Sequence, residues 1–157
     1  MIAPYLLLKS IHIFGVILLL GNLIVTAWWK LMANKTKNPS IIAFAQQQVT
    51  LTDFVFTAPG ALLVIFAGDY MAYNSISNSW SVQWLTWGRC LFIASGIIWL
   101  TILIPTQIKQ ARLATSFVNS KTIPDEYWKL SKRWNIFGTI AVLLPLINLY
   151  WMVFKPT

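Results

Sequence analysis

Four long apolar runs constrain this sequence more strongly than anything else in it. They cover about Pro4–Trp29, Leu51–Tyr73, Trp84–Ile108 and Trp134–Phe154. Crossing the hydrocarbon core of a bilayer takes about 20 predominantly apolar helical residues, and each run meets that length. Lipid offers no partner to a backbone N–H or C=O, so a crossing segment closes its hydrogen bonds within itself as a helix. The expected fold is an all-α membrane protein, an antiparallel bundle of four transmembrane helices. A single integral membrane domain spans residues 1–157, with two longer loops at 30–50 and 109–133.

Composition agrees. Hydrophobic residues make up 57% of the chain and charged residues only 10%, well under half the roughly 25% of a soluble domain. An aromatic content of 15% argues against disorder. The first run lacks a basic leading segment, is long for a signal peptide and has no small-x-small cleavage site, so it is expected to stay as a span.

The charges that remain are distributed unevenly. Lys30, Lys35 and Lys37 lie between the first two runs, and Lys109, Arg112, Lys121, Lys129, Lys132 and Arg133 between the last two. The connection from Asn74 to Gln83 has no basic residue. The positive-inside rule therefore puts both loops in the cytoplasm and both termini on the non-cytoplasmic side of a bacterial inner membrane. The net charge of +8 reads as topology, and no nucleic-acid partner is expected. Trp28, Trp29, Trp80, Trp84, Trp87, Trp128 and Trp134 fall near the run ends, where indoles form interfacial belts. Asn38-Pro39-Ser40 and Thr122-Ile123-Pro124-Asp125-Glu126 carry the cap, proline and acidic signals of helix starts. The inner loops are therefore expected to be partly helical and to run on into the spans.

Chemistry is sought among the polar residues at membrane depth, because these are costly there and usually have partners. His12 is the one histidine. With Gly15, Leu19, Asn22 and Thr26 it falls on one face of the first helix, a small and polar stripe suited to helix contacts. Two readings stand: a buried histidine bonded across helices, or a haem-iron ligand beside a glycine that lets a flat ring approach. Asp69 and Arg89 flank the short connection and can form either a clamp or the charged wall of a pocket. Asp53 lies near the inner end of the second run, with Gln107, Lys109, Lys132, Arg133 and Asn135 at similar depth. It is either paired structurally with that basic collar or a proton-path carboxylate, and Asn22 and Gln107 are the other polar candidates. Cys90, alone, reads as a small packed residue. Pro59, Pro105 and Pro145 mark bends in three helices. No catalytic residues can be named from motifs.

The stretch Tyr5-Leu6-Leu7-Leu8-Lys9-Ser10-Ile11-His12-Ile13-Phe14-Gly15-Val16 resembles the first helix of HemJ-type protoporphyrinogen oxidases and CopD-like membrane proteins. More of the chain resembles an uncharacterised family of bacterial four-helix integral membrane proteins, a domain of unknown function. That likeness rests on Asp53–Pro59, on Trp99 through Pro105-Thr106-Gln107-Ile108 to Leu113-Ala114, and on Met152-Val153-Phe154-Lys155-Pro156. The HemJ likeness implies a haem b or another redox cofactor bound through His12, with Gly15, Arg89 and Asp69 lining its pocket. Where that type has an essential lysine, this chain has Arg89 after Trp87, and an arginine has no lone pair to offer iron. Met71 is then a candidate sixth ligand. Two other functions stand beside this one: a non-catalytic subunit or scaffold of a larger membrane complex, and a small oligomeric transporter. The expected partners are the lipid bilayer and either further copies or a larger complex.

Overall fold

The computed structural model describes residues 2–76, 79–120 and 122–155, with side chains from Pro4 onward. Lys121 and Pro156 lie outside the described residues. Helix α1 spans Ile2–Thr36, α2 Pro39–Thr52, α3 Ala58–Ser75, α4 Gln83–Ile98, α5 Ile104–Phe117 and α6 Asp125–Phe154. Two short π-helical segments, Asp53–Thr57 and Trp99–Leu103, join α2 to α3 and α4 to α5. The chain thus forms four continuous rods, each long and apolar enough to cross a membrane. It is an all-α membrane bundle.

The rods outrun the hydrocarbon. Helix continues through most of residues 30–50 and 109–133, as the cap signals imply. Asn38 caps α2, its side-chain oxygen accepting from the N–H groups of Ser40 (3.0 Å) and Ile41 (3.3 Å), with Pro39 in the first turn. The α6 start differs from expectation. Thr122 does not cap it; Pro124 occupies the cap position, and Asp125 and Glu126 fill the first turn, where their charge favours the helix dipole.

The π segments have a cause in the sequence. A proline has no N–H and its ring crowds the carbonyl four residues earlier. Before Pro59 and Pro105 the bonding pattern widens instead, with Ala58 N–H bonding to the Asp53 carbonyl and Ile104 N–H to that of Trp99. Both middle rods share this layout, a parallel that residue identities alone do not reveal.

Packing differs along the bundle. At the end carrying the basic hairpins, α1, α2, α5 and the start of α6 close around one another. There Ala33, Ile42, Ala43, Ala114, Phe117 and Tyr127 form a buried cluster. Toward the termini the rods separate into two pairs, α1 with α3 and α4 with α6, and among the described residues α3 and α4 do not approach within 8 Å at their Cα atoms. The α1–α3 pair is held by Gly15 and Gly60. A Cβ on Gly15 would lie 2.9 Å from the Gly60 carbonyl oxygen, and one on Gly60 would lie 2.8 Å from the Leu19 nitrogen. Backbones approach this closely only through small residues. Most large apolar side chains, such as Phe14, Phe66 and Val153, point outward, where a bilayer covers them.

Candidate functional site: a buried polar column

The site lies at the junction where the closed half of the bundle opens into two pairs. Asp53, the first residue of its π segment, is only 3% exposed. Its Oδ1 accepts from Asn22 Nδ2 (3.0 Å) and Thr57 Oγ1 (2.9 Å), and its Oδ2 from Trp99 Nε1 (3.4 Å). Asn22 also donates to Thr57 Oγ1 at 2.9 Å. Trp99 opens the second π segment, so the two prolines place the carboxylate and the indole at matching positions on facing rods. Gln107 lies beside the same carboxylate. It is fully buried, its Oε1 accepts from Trp134 Nε1 at 3.3 Å, and its amide nitrogen has no hydrogen-bond partner.

The expected pairing of Asp53 with the basic collar is not what the structure shows. Lys109, Lys132 and Arg133 are exposed; the carboxylate is held by neutral donors. Those donors come from α1, Thr57 and the opposite rod, so no local pattern announces them.

From Gln107 the polar groups continue toward the basic end. Gln46 Nε2 donates to the Gln107 carbonyl at 3.4 Å. The Gln46 side-chain oxygen accepts from Lys30 Nζ, which also donates to the Gln110 oxygen at 3.3 Å. Lys30, expected in a loop as part of the topology signal, is 1% exposed. Its ammonium lies 5.5 Å from the Tyr127 ring centroid and 5.1 Å from that of Trp134, within cation–π range. Trp134 is correspondingly a core residue and not part of an interfacial belt. Beyond Lys30, Tyr127 donates its hydroxyl proton to Asn34 Oδ1 (3.0 Å), and Asn34 donates to Ser131 Oγ (2.9 Å). Asn34 and Ser131 line an open groove of about 370 Å³ between α1 and α6. At the other end of the column, Thr57 and Trp99 line a small cavity of about 50 Å³ together with Leu19, Phe92 and Pro145, large enough to hold water.

The remaining sequence candidates sit apart from this column. The stripe on α1 faces its neighbours as its spacing predicts. His12 donates from Nδ1 to the Val64 carbonyl at 3.0 Å, and its ring packs on Gly68. The clearance beside Gly15 is filled by α3, so that glycine serves the helix contact. Arg89 pairs with Asp69 at 3.0 Å, reaches Ser79 and lies 4.5 Å from the Trp80 ring centroid. Lys9 and Cys90 are exposed; the cysteine faces outward and does not fill the packed position expected for it. Among the described residues no three His, Cys, Asp or Glu side chains converge as a metal site.

No curated protein and no solved structure matches the chain. A family profile does match, over residues 6–156. That match takes in all four rods and the whole polar column, and the chain belongs to the DUF2269 family of predicted integral membrane proteins.

Proposed function

We propose that this protein takes up and releases a proton at Asp53, reached from the basic end of the bundle through the polar column. The single observation that carries the reading is a carboxylate buried in a bilayer-spanning bundle, held by three neutral side chains and, among the described residues, by no cation. Ionisable groups at that depth are expensive to keep, and where kept they mark ion and proton pathways. Gln107, Gln46, Lys30, Gln110, Asn34 and Ser131 supply a stepwise polar path to the groove. Infrared difference spectroscopy of the reconstituted protein between acid and alkaline buffers tests the reading. A carboxyl band that titrates and disappears in Asp53→Asn is expected; a band unaffected by that substitution overturns it.

The location that fits this reading is the cytoplasmic membrane of a bacterium, with the basic end in the cytoplasm and both termini outside. The concentration of lysine and arginine on the two hairpins supports that orientation. The column covers only one half of the bundle and meets an apolar-walled cavity. Proton movement across the whole bilayer therefore calls for further copies or a larger membrane complex. Reporter fusions at the C-terminus read the orientation directly.

A second reading has its own observation. His12 commits Nδ1 to the Val64 carbonyl, which leaves Nε2 as the lone-pair nitrogen, the arrangement by which proteins orient a metal-bound imidazole. A haem on this histidine would supply one-electron chemistry, with Arg89 and Asp69 as the charged groups on the same half of the bundle. Protein purified from haem-replete cells should then show a Soret band that His12→Ala removes; its absence from the wild-type protein sinks this reading and leaves the Asp53 proposal untouched.

A further inference from the structure

The groove at the basic end has a composition that the proton reading does not use. Its polar rim carries Lys35 and Lys132, and its apolar lining includes Leu31, Ile136 and Trp128. Both ammonium groups are exposed, and among the described residues the one ion pair is Asp69 with Arg89 at the opposite end. Two cations therefore share a concave surface whose lining residues include no carboxylate. The depth is informative as well. Leu31 lies two residues beyond Trp29, and Trp28 and Trp29 are 60% and 50% exposed, as indoles of an interfacial belt should be.

We propose that this groove binds the headgroup of an acidic phospholipid. Lys35 and Lys132 would make charge-assisted hydrogen bonds to the phosphate oxygens, and the exposed Asn135 amide adds a neutral donor at the same rim. Leu31 and Ile136, both outward-facing, give the upper acyl segments an apolar surface where the groove meets hydrocarbon. Its volume of about 370 Å³ falls in the range of small-molecule sites. Free phosphate could satisfy the lysines but has nothing to place on the apolar residues, which is why the lipid is the ligand favoured. The bound headgroup would lie over Asn34 and Ser131, at the mouth of the polar column.

Native mass spectrometry of the full-length protein in detergent, with phosphatidylglycerol or phosphatidylcholine added, tests this. Wild-type protein should retain phosphatidylglycerol preferentially. Lys35→Gln with Lys132→Gln should lower that retention by about fivefold per lysine removed. Lys109→Gln with Arg112→Gln, an equal loss of charge on exposed α5 positions at the same end, should leave it within about twofold. Equal losses in the two double variants would mean diffuse surface attraction and overturn the site. So would displacement of the lipid by millimolar inorganic phosphate, which would mark a simple anion site, or retention of both lipids alike by the wild-type protein. The last comparison needs no variant to fold.

Discussion

Replacing Asp53 by asparagine and by alanine should have very different consequences. In the native site Oδ1 receives both Asn22 and Thr57, whereas Oδ2 receives only the longer contact from Trp99 at 3.4 Å. An asparagine oriented with its oxygen in the Oδ1 position keeps the two short bonds and loses the long one. Alanine keeps none. Thr57 then has no acceptor, and Asn22 retains only its bond to Thr57 Oγ1. Side-chain hydrogen bonds within membrane bundles average about 0.6 kcal/mol and reach about 1.7. Three lost bonds plus the void left by the carboxyl group therefore place Asp53→Ala at about 2–4 kcal/mol, and Asp53→Asn at about 1 kcal/mol or less. At about 2–4 °C per kcal/mol for a chain of this size, alanine should lower the detergent unfolding midpoint by roughly 5–15 °C and asparagine by no more than a few degrees. Scanning fluorimetry on purified protein, read beside Asn22→Ala and the double variant, measures this. If asparagine proves as damaging as alanine, the charge is being held by a cation and the neutral-donor account of the site fails. If both are harmless, the hydrogen bonds carry no weight.

Other parts of the fold make independent predictions. Gly60→Ala should drive α1 and α3 apart, because the new methyl would meet the Leu19 backbone nitrogen at 2.8 Å; a loss of about 1–3 kcal/mol is expected, read as a lower unfolding midpoint, whereas Gly21→Ala, with nothing within 4 Å, should not destabilise. Lys37 adopts φ 52° just past the end of α1, a position that favours glycine, so Lys37→Gly should raise the midpoint by the equivalent of about 0.5–1 kcal/mol. Asp69→Asn breaks the one ion pair among the described residues, but Asp69 is 59% exposed, and solvent-screened pairs contribute little; the change should stay below about 1 kcal/mol and leave the infrared signature of Asp53 unaltered.

The legibility of this protein in its sequence follows a physical division. Span number, helix starts and the α1 contact face are encoded locally, in run length, in cap chemistry at Asn38 and in the spacing from His12 to Thr26. Those features are readable because a helix repeats every 3.6 residues and a bilayer has a known thickness. Which polar groups meet is encoded non-locally. Asp53 stands out by type, but Asn22 is 31 residues away and Trp99 46, and nothing in the intervening chain sets their azimuth. Lys30 shows the limit most sharply. Directly after Trp28-Trp29 it has the pattern of an interfacial anchor, a lysine that snorkels to water. It is buried instead because α1 continues past the bilayer into a second, closed layer of helices, where α2, α5 and α6 wrap around it. A signal that identifies where the membrane ends cannot say whether the protein ends there too. The prolines offered a better clue. Pro59 and Pro105 each stand six residues after the residue that opens a π segment, Asp53 in one rod and Trp99 in the other. Widened helical turns of this kind are frequent at functional sites, and their occurrence on facing rods brings the carboxylate and the indole within reach of each other. A backbone device read only as a bend is thus what assembles the site, since Asp53, Thr57 and Trp99 all stand in the two π segments.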